Sequence, residues 1–229
     1  MYSGESRVFI SKAHRATTAA ALTAALCVGG PAVASASASS TPTGNTAKAA
    51  SVGGLTVHRV AVPASAVPAQ VKASLAAAAI PASSTVYEYE FANGANTGLC
   101  LDANDAGSTA GANGDKVQLW SCKGTANQLW YGVDISSNYT TLVNAEYTSK
   151  CLNAADNGGL ADGRHVQLYD CSVGTSNEFW YEPGDYIWLD NSSFVLDATS
   201  QSIGSGDQVQ IYTYNGEAQQ RWFYTAFAS

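Results

Sequence analysis

Short apolar runs that alternate with polar residues fill the chain from about residue 86 to its end. β-Branched and aromatic residues make up these runs, and Asn, Gly, Asp and Ser separate them. A period of two is typical of strands that bury one face, and the separating residues favour turns. No stretch of this region has the length and period of a sizeable helix. The pattern therefore predicts an all-β domain over residues 85–229.

A set of sequence markers recurs three times in this region. The pieces Val-Gln-Leu-Trp, Val-Gln-Leu-Tyr and Val-Gln-Ile-Tyr end at residues 120, 169 and 212, and later pieces end in Trp at 130, 180 and 222. Cys-Leu-Asp, Cys-Leu-Asn and Val-Leu-Asp precede them in the same order. Three markers in one order predict structural repeats, at about residues 86–134, 135–183 and 184–229.

Each repeat separates core positions from surface positions. In Val-Gln-Leu the two aliphatic side chains point to one side of a strand and Gln points to the other. The terminal Trp of each repeat is expected in the core. Units too small to bury an apolar face alone can close around a pseudo-threefold axis, which removes exposed sheet edges.

The beginning of the chain has the features of an export signal. Arg7, Lys12 and Arg15 precede an Ala- and Leu-rich run, and Ala34-Ser35-Ala36 has the small-x-small pattern of a signal-peptidase site. Residues 1–36 are therefore predicted to be a signal peptide, and the protein is predicted to be secreted.

Residues 37–84 differ in composition from both neighbours. They are rich in Ala, Ser, Thr, Val and Pro and contain no aromatic residue, so we interpret them as a low-complexity linker or pro-segment. Within them, Pro68 to Ile80 is a candidate helix with Val71, Leu75 and Ala79 on one face. Whether this helix packs on the rest of the protein is left open by the sequence.

The net charge of −7 is the average of two unlike parts. Residues 1–84 hold six Lys or Arg and one acid, whereas residues 85–229 hold five bases and 17 acids, a balance of −12. An acidic domain repels phosphate backbones, so nucleic acid is excluded as a partner. The longest apolar stretch, Ala19 to Val28, is about half of a membrane span. No membrane anchor is predicted.

Four cysteines occupy matching places in the first two repeats, and Cys27 falls within the predicted signal peptide. Four cysteines allow three pairings. Equivalence of the repeats favours Cys100 with Cys122 and Cys151 with Cys171, each pair worth about 3 kcal/mol in the chain-entropy model. In the third repeat, Val195 and Tyr214 stand near the corresponding places.

The cysteines and histidines of residues 85–229 also argue against a metal site. No Cys-x-x-Cys occurs, and His165 is the only histidine of residues 85–229. No metal and no cofactor are predicted.

The combined motif resembles the ricin B-type lectin domain, a β-trefoil carbohydrate-binding module. Cys-Leu-Asp, then Gln-Leu-Trp-x-Cys, then Asn-Gln-x-Trp carry the resemblance, which covers about residues 86–226. The family implies a β-trefoil with pseudo-threefold symmetry, in which six strands form a short barrel and six form three capping hairpins. It also implies one potential sugar pocket per repeat.

The resemblance implies a complete pocket in the first repeat. Asp102 would accept hydrogen bonds from sugar hydroxyls, and Trp120 would lie under the apolar face of the sugar ring. Asn127 and Gln128 would complete or orient this network. Gln118 would contact the ligand at the edge of the pocket.

The third repeat carries a similar set with one departure. The residues are Asp197, Tyr212, Gln219 and Gln220, and Gln219 stands where the family usually has Asn. A longer amide at this position requires the sugar ring to shift. The resemblance therefore implies a second pocket with altered geometry.

The second repeat departs from the pattern twice. Asn153 replaces the carboxylate and Glu178 replaces the glutamine, beside Tyr169 and Asn177. Because a neutral acceptor makes weaker hydrogen bonds than a charged one, a weakened or silent pocket is expected here.

These observations predict a secreted carbohydrate-binding lectin without catalysis, with one to three shallow pockets for galactose-type sugars or for plant or microbial polysaccharides. A glycosidase needs two carboxylates placed across a cleft, whereas the acids here are spread over turns. Two alternatives stay open. One is a protein-binding trefoil, such as an inhibitor or surface-interaction protein, with vestigial pockets. The other is a targeting module of a polysaccharide-degrading system.

Overall fold

The computed structural model describes residues 49–52, 55–58, 61–136, 139–172, 175–182, 184–199 and 203–226. The predicted signal peptide, residues 1–36, lies outside the described residues. The first described elements, β1 (Ala49–Val52) and β2 (Leu55–His58), pair with each other as an antiparallel hairpin. One helix, α1 (Ala69–Ala77), follows them.

Twelve strands form a single antiparallel sheet after this helix. Each repeat contributes four of them, and a 3₁₀ turn precedes the last strand of each repeat, at Ala126–Gln128, Ser176–Glu178 and Ala218–Gln220. The strands are β3 (Val86–Asn93), β4 (Leu99–Ala103), β5 (Asp115–Ser121), β6 (Leu129–Asp134), β7 (Thr140–Asn144), β8 (Lys150–Ala154), β9 (Arg164–Asp170), β10 (Trp180–Tyr181), β11 (Trp188–Leu189), β12 (Phe194–Ala198), β13 (Val209–Thr213) and β14 (Trp222–Ala226).

The strand pairings produce the architecture of a β-trefoil. The outer strands of the repeats pair in the order β14, β3, β6, β7, β10 and β11, which is the barrel layer. The inner strands form three hairpins, β4 with β5, β8 with β9, and β12 with β13. The predicted all-β trefoil fold is therefore confirmed.

Aliphatic and indole side chains from all three repeats fill the core. The Val and Leu or Ile of each Val-Gln-Leu/Ile piece are fully buried, as the alternation predicts. Trp130, Trp180 and Trp222 are also fully buried, and their indole Nε1 atoms donate to the carbonyl oxygens of the middle residue of each Cys/Val-Leu-Asp/Asn piece, Leu101, Leu152 and Leu196. Each Trp thus ties the last strand of its repeat to the capping hairpin of the same repeat.

Gln208 lies where the three hairpins meet. Its Nε2 atom is 2.9 Å from the carbonyl oxygen of Val117, 2.8 Å from that of Val166 and 3.0 Å from that of Val209. These three valines occupy equivalent positions in the three repeats. The two N–H groups of one amide are therefore shared among buried backbone acceptors from every repeat at the pseudo-threefold axis.

Each of the first two repeats has one disulfide, which closes its own capping hairpin. The disulfides connect Cys100 with Cys122 and Cys151 with Cys171, which are the pairs that repeat equivalence favours. In the third repeat the backbone N–H of Tyr214 donates to the carbonyl oxygen of Ser193. The amides of Cys122 and Cys171 make the same bond in their repeats, so Tyr214 occupies the position of the second half-cystine.

Helix α1 packs where the first and second repeats meet. Val71 and Leu75 are buried in a cluster with Tyr131, Val143 and Cys151. The sequence left this contact open, and the structure shows that part of the segment interpreted as a linker belongs to the folded unit. None of the helices in the described part of the chain has the length and apolar character needed to cross a membrane.

The prediction for one residue of the helix was wrong. Ala79, expected on the apolar face, has a φ of 57° and its side chain is exposed, because the helix ends at Ala77. Ala78 and Ile80 bury their side chains instead.

Candidate functional site

The predicted pocket residues of the first repeat lie on one face of the β4–β5 hairpin. Asp102 is the cross-strand partner of Gln118, and Cys100 is the partner of Trp120. Residues two apart on a strand share a face, so the carboxylate and the indole project to the same side. The 3₁₀ turn Ala126–Gln128 brings two more predicted residues, Asn127 and Gln128, against this face.

Asp102 is held by side-chain amides from three directions. Its Oδ1 accepts a hydrogen bond from Gln118 Nε2 at 3.0 Å. Its Oδ2 accepts from Asn127 Nδ2 at 2.9 Å and from Gln128 Nε2 at 3.0 Å. The structure therefore brings the predicted polar residues together, and it gives Gln118 a place beside the carboxylate instead of at the pocket edge.

The environment of Asp102 shapes what the carboxylate can bind. The residue is only 2% exposed, and burial raises the pKa of its carboxyl above the usual 3.8, although the three amide hydrogen bonds oppose this shift. A carboxylate oxygen accepts about two hydrogen bonds. Since Oδ2 already has two amide donors and Oδ1 has one, Oδ1 is the atom with room for a ligand hydroxyl.

Trp120 provides the apolar surface of this candidate pocket. It is 39% exposed, which is unusual for an indole in a domain whose other repeat tryptophans are buried. Gly206, in a loop of the third repeat, lies against the indole ring, and Ser205 Oγ of the same loop is 3.4 Å from Ser121 Oγ. A loop of the third repeat therefore borders this candidate pocket.

The third repeat reproduces this arrangement with fewer amides. Gln210 Nε2 donates to Asp197 Oδ1 at 2.8 Å, and Gln220 also hydrogen-bonds to this carboxylate. Burial again raises the pKa of the Asp197 carboxyl. Tyr212, 37% exposed, takes the place of Trp120. Gln219 is buried in the 3₁₀ turn that also carries Gln220.

The second repeat has moved its carboxylate to another position. Asn153 Nδ2 donates to Glu178 Oε1 at 3.0 Å, and Asn153 Oδ1 accepts from Gln167 Nε2 at 3.0 Å. Glu178 Oε2 accepts from the backbone N–H of Ser172 at 2.8 Å. The acid and the amide of the first repeat have thus exchanged places. Tyr169 remains 44% exposed above them.

This exchange changes the second candidate site. Burial raises the pKa of the Glu178 carboxyl above its usual 4.5, and the hydrogen bonds from Ser172 and Asn153 only partly oppose the shift. Both polar atoms of the Asn153 side chain are used within the protein. Asn177, the remaining predicted residue, donates to the backbone carbonyl of Ala154 at 3.0 Å. The charge therefore lies behind a neutral amide and not at the front of the site.

Among the described residues, one group of side chains lies close enough together to be considered as a metal site. One potential ligand atom from each of Glu90, Cys100 and Cys122 lies within 4.8 Å of the other two. Because the two sulfur atoms are joined in a disulfide, neither is a thiolate that could bind a metal ion.

The strand pairings and the three capping hairpins are those of a β-trefoil. Residues 88–222 match the ricin-type β-trefoil lectin domain, and the chain belongs to this family. The family is defined by carbohydrate binding, so residues 88–222 form a binding domain rather than a catalytic one.

Known proteins share this domain at moderate identity. Abrin-a of Abrus precatorius is 33% identical over 135 residues, which are 57% of this chain and 23% of that protein. The designed 3-fold symmetric protein ThreeFoil is 28% identical with a TM-score of 0.53, covering 60% of this chain and 96% of the design. The C-half of an earthworm R-type lectin, solved with GalNAc, has a TM-score of 0.50 over 62% of this chain and 99% of its own.

These likenesses differ in what they establish. The earthworm structure is 15% identical, which shows a common fold alone. The chain spans about a quarter of the length of the curated relatives that it matches.

Proposed function

We propose that this protein is a secreted lectin that binds neutral, galactose-type sugars through the pockets of its first and third repeats. The observation that carries this proposal is the pair formed by a buried, amide-held carboxylate and an exposed aromatic ring on the same hairpin face. The pair occurs twice, as Asp102 with Trp120 and as Asp197 with Tyr212.

The two groups of each pair suit two sides of a sugar. A carboxylate oxygen accepts hydrogen bonds from hydroxyls, and an aromatic ring covers the apolar C–H face and releases water from it. GalNAc is the sugar bound by the earthworm lectin with this fold. A galactose-type ligand is therefore the first to test, with plant and microbial polysaccharides as further candidates.

Each pocket is shallow, so a single sugar binds weakly and attachment to a glycan depends on several pockets. Two pockets on one chain raise the effective concentration of the second binding event. The second repeat contributes little to binding, because Asn153 has both of its polar atoms engaged inside the protein.

The organisation of the chain completes the proposal. Residues 1–36 direct export, residues 37–84 precede the lectin domain, and residues 85–229 bind the sugar without catalysing its conversion. The two disulfides support a secreted protein, since such bonds persist in oxidising compartments.

A glycan and polysaccharide array on the full chain tests this function. We expect galactosides or GalNAc-bearing glycans to bind, and the double variant Asp102→Asn with Asp197→Asn to lose at least about tenfold in affinity, because an amide lacks the charged acceptor. Asparagine keeps the shape of aspartate and so limits unfolding.

The exposed acid Asp156 provides the matched control. Asp156→Asn removes one negative charge outside the amide networks and should bind as the parent does. Unchanged binding by the double variant would disprove the pocket assignment. Binding by neither parent nor variants to any sugar would favour the protein-binding trefoil.

A further inference from the structure

Four neighbouring strands, β10 of the second repeat and β11 to β13 of the third, place a row of side chains on one face of the sheet. Tyr181 pairs with Trp188, Trp188 with Val195, and Val195 with Tyr212. Directly paired residues of an antiparallel sheet lie on the same face. The row therefore ends at Tyr212, the aromatic ring of the third sugar pocket.

The same row has a different composition in the other repeats. The row that ends at Trp120 consists of Phe223, Ala92, Cys100 and Trp120, and the row that ends at Tyr169 consists of Tyr131, Val143, Cys151 and Tyr169. In both, a small residue and a disulfide occupy the middle of the row. In the second, helix α1 also covers Tyr131 and Val143.

In the third repeat an aromatic cluster takes the place of the disulfide. Tyr214, at the position of the second half-cystine, packs on Trp188 with 5.1 Å between ring centroids. It meets Tyr186 edge to face at 5.0 Å, and the two tyrosines share a hydrogen bond. These contacts fix the rings before any ligand arrives.

This cluster forms one side of an open groove of about 910 Å³. Tyr181 and Tyr214 expose 40% and 43% of their surfaces. Asp190 lines the groove and hydrogen-bonds to Tyr139. Among the described residues that line it, there is no Lys or Arg.

We propose that this groove is an additional carbohydrate subsite, which binds the next sugar units of an oligosaccharide whose end occupies the Asp197 and Tyr212 pocket. The subsite rests on the proposed function and extends it from single sugars to chains. Adjacent strands are about 4.8 Å apart, so Trp188 lies two strand spacings from Tyr212. A short oligosaccharide can contact both.

The lining favours a neutral sugar chain over other ligands. Exposed tyrosine rings offer flat apolar surfaces with hydroxyls at their edges, which match the two faces of a pyranose. Asp190 is an acceptor for hydroxyl groups, and the acidic surroundings disfavour an anionic ligand. The register from Trp188 through the buried Val195 to Tyr212 places the groove and the third pocket on the same face of the sheet.

Calorimetry with a monosaccharide and a tetrasaccharide tests the subsite. In the full chain with Asp102→Asn, which silences the first pocket, we expect β-1,3-linked galactotetraose to bind about tenfold more tightly than methyl β-galactoside. Tyr181→Ala and, separately, Tyr214→Ala should remove this gain. Tyr181→Phe should keep most of it because the ring remains.

Three outcomes of these measurements would contradict the subsite. Equal binding of the two sugars by the Asp102→Asn protein would overturn the subsite and leave the third pocket standing. Absence of binding to both sugars would overturn the pocket together with its extension. If Tyr181→Ala instead dissociates a dimer in sedimentation and leaves the tetrasaccharide affinity unchanged, the groove is a contact between two copies, and the proposal is wrong.

Discussion

Glu178, the buried acid of the second repeat, cannot make one hydrogen bond that the equivalent glutamines of the other repeats make. In the first and third repeats, the glutamine at this position donates through Nε2 to the carbonyl oxygens of Ser121 and Thr213. Asp170 holds the equivalent place in the second repeat, where the ionised Glu178 has no N–H to donate. The raised pKa of Glu178 is consistent with a carboxylate that burial destabilises.

An aspartate at position 153 together with a glutamine at position 178 should restore the arrangement of the first repeat. Asn153→Asp alone places a second carboxylate beside Glu178 and should lower the free energy of unfolding by about 3 kcal/mol. Adding Glu178→Gln should recover most of this loss. Urea unfolding of both single variants and the double variant measures the coupling. Additive effects would show that residues 153 and 178 do not interact.

The titration of Glu178 predicts a pH dependence. Below its usual pKa of 4.5 the group is protonated in both folded and unfolded chains, and as the pH rises through the higher folded pKa the folded state loses stability relative to the unfolded state. Glutamine does not titrate. The unfolding free energy of Glu178→Gln relative to the parent should therefore increase as the pH is raised from 4 to 7. A difference that shrinks over this range would contradict the raised pKa.

At the scale of secondary structure, α1 owes its stability to the domain. A nine-residue helix is marginal in water, and this one has no side-chain N-cap hydrogen bond and no acidic residue in its first turn. Its two buried residues, Val71 and Leu75, belong to a buried cluster with residues of the first and second repeats. Packing on the strands, and not local propensity, holds the helix in place.

Leu75→Ala should therefore destabilise the whole protein. Removing a largely buried leucine side chain costs about 2 to 3 kcal/mol, which denaturant unfolding followed by tryptophan fluorescence would measure. Lys72→Ala changes an exposed residue of the same helix and should shift stability by less than about 0.5 kcal/mol. Equal effects of the two variants would mean that α1 does not dock in solution.

At the scale of the whole molecule, Gln208 couples the repeats. Gln208→Ala would leave the carbonyl oxygens of Val117, Val166 and Val209 without this shared donor, so we expect a loss of about 2 kcal/mol in unfolding free energy. Ser205→Ala, an exposed change in the same loop, serves as the control. The observation against this role would be a Gln208→Ala protein as stable as the control.

The repeats made the fold predictable, whereas the contacts between distant side chains were not. Strand alternation and three ordered markers predicted the trefoil, the buried tryptophans and the favoured cysteine pairs. The sequence presented Asn153 and Glu178 as two separate losses, because 25 residues separate them and only the folded hairpin brings them together. The groove depends on the register of four strands, so Tyr181, Trp188 and Tyr214 gave no local signal of it.

The side chain of Gln208 lies on the pseudo-threefold axis, and this position limits how the three repeats can use their equivalent residues. A point on a rotation axis belongs to all three copies, yet it has room for only one side chain. Lys116 and His165 hold the positions equivalent to Gln208, and the Lys116 ammonium turns aside to the carbonyl oxygen of Gly206 while His165 is exposed. Three identical copies of this sequence would direct three glutamines to one place. Only one of the three equivalent positions can therefore place its side chain on the axis, and the other two side chains must turn away from it.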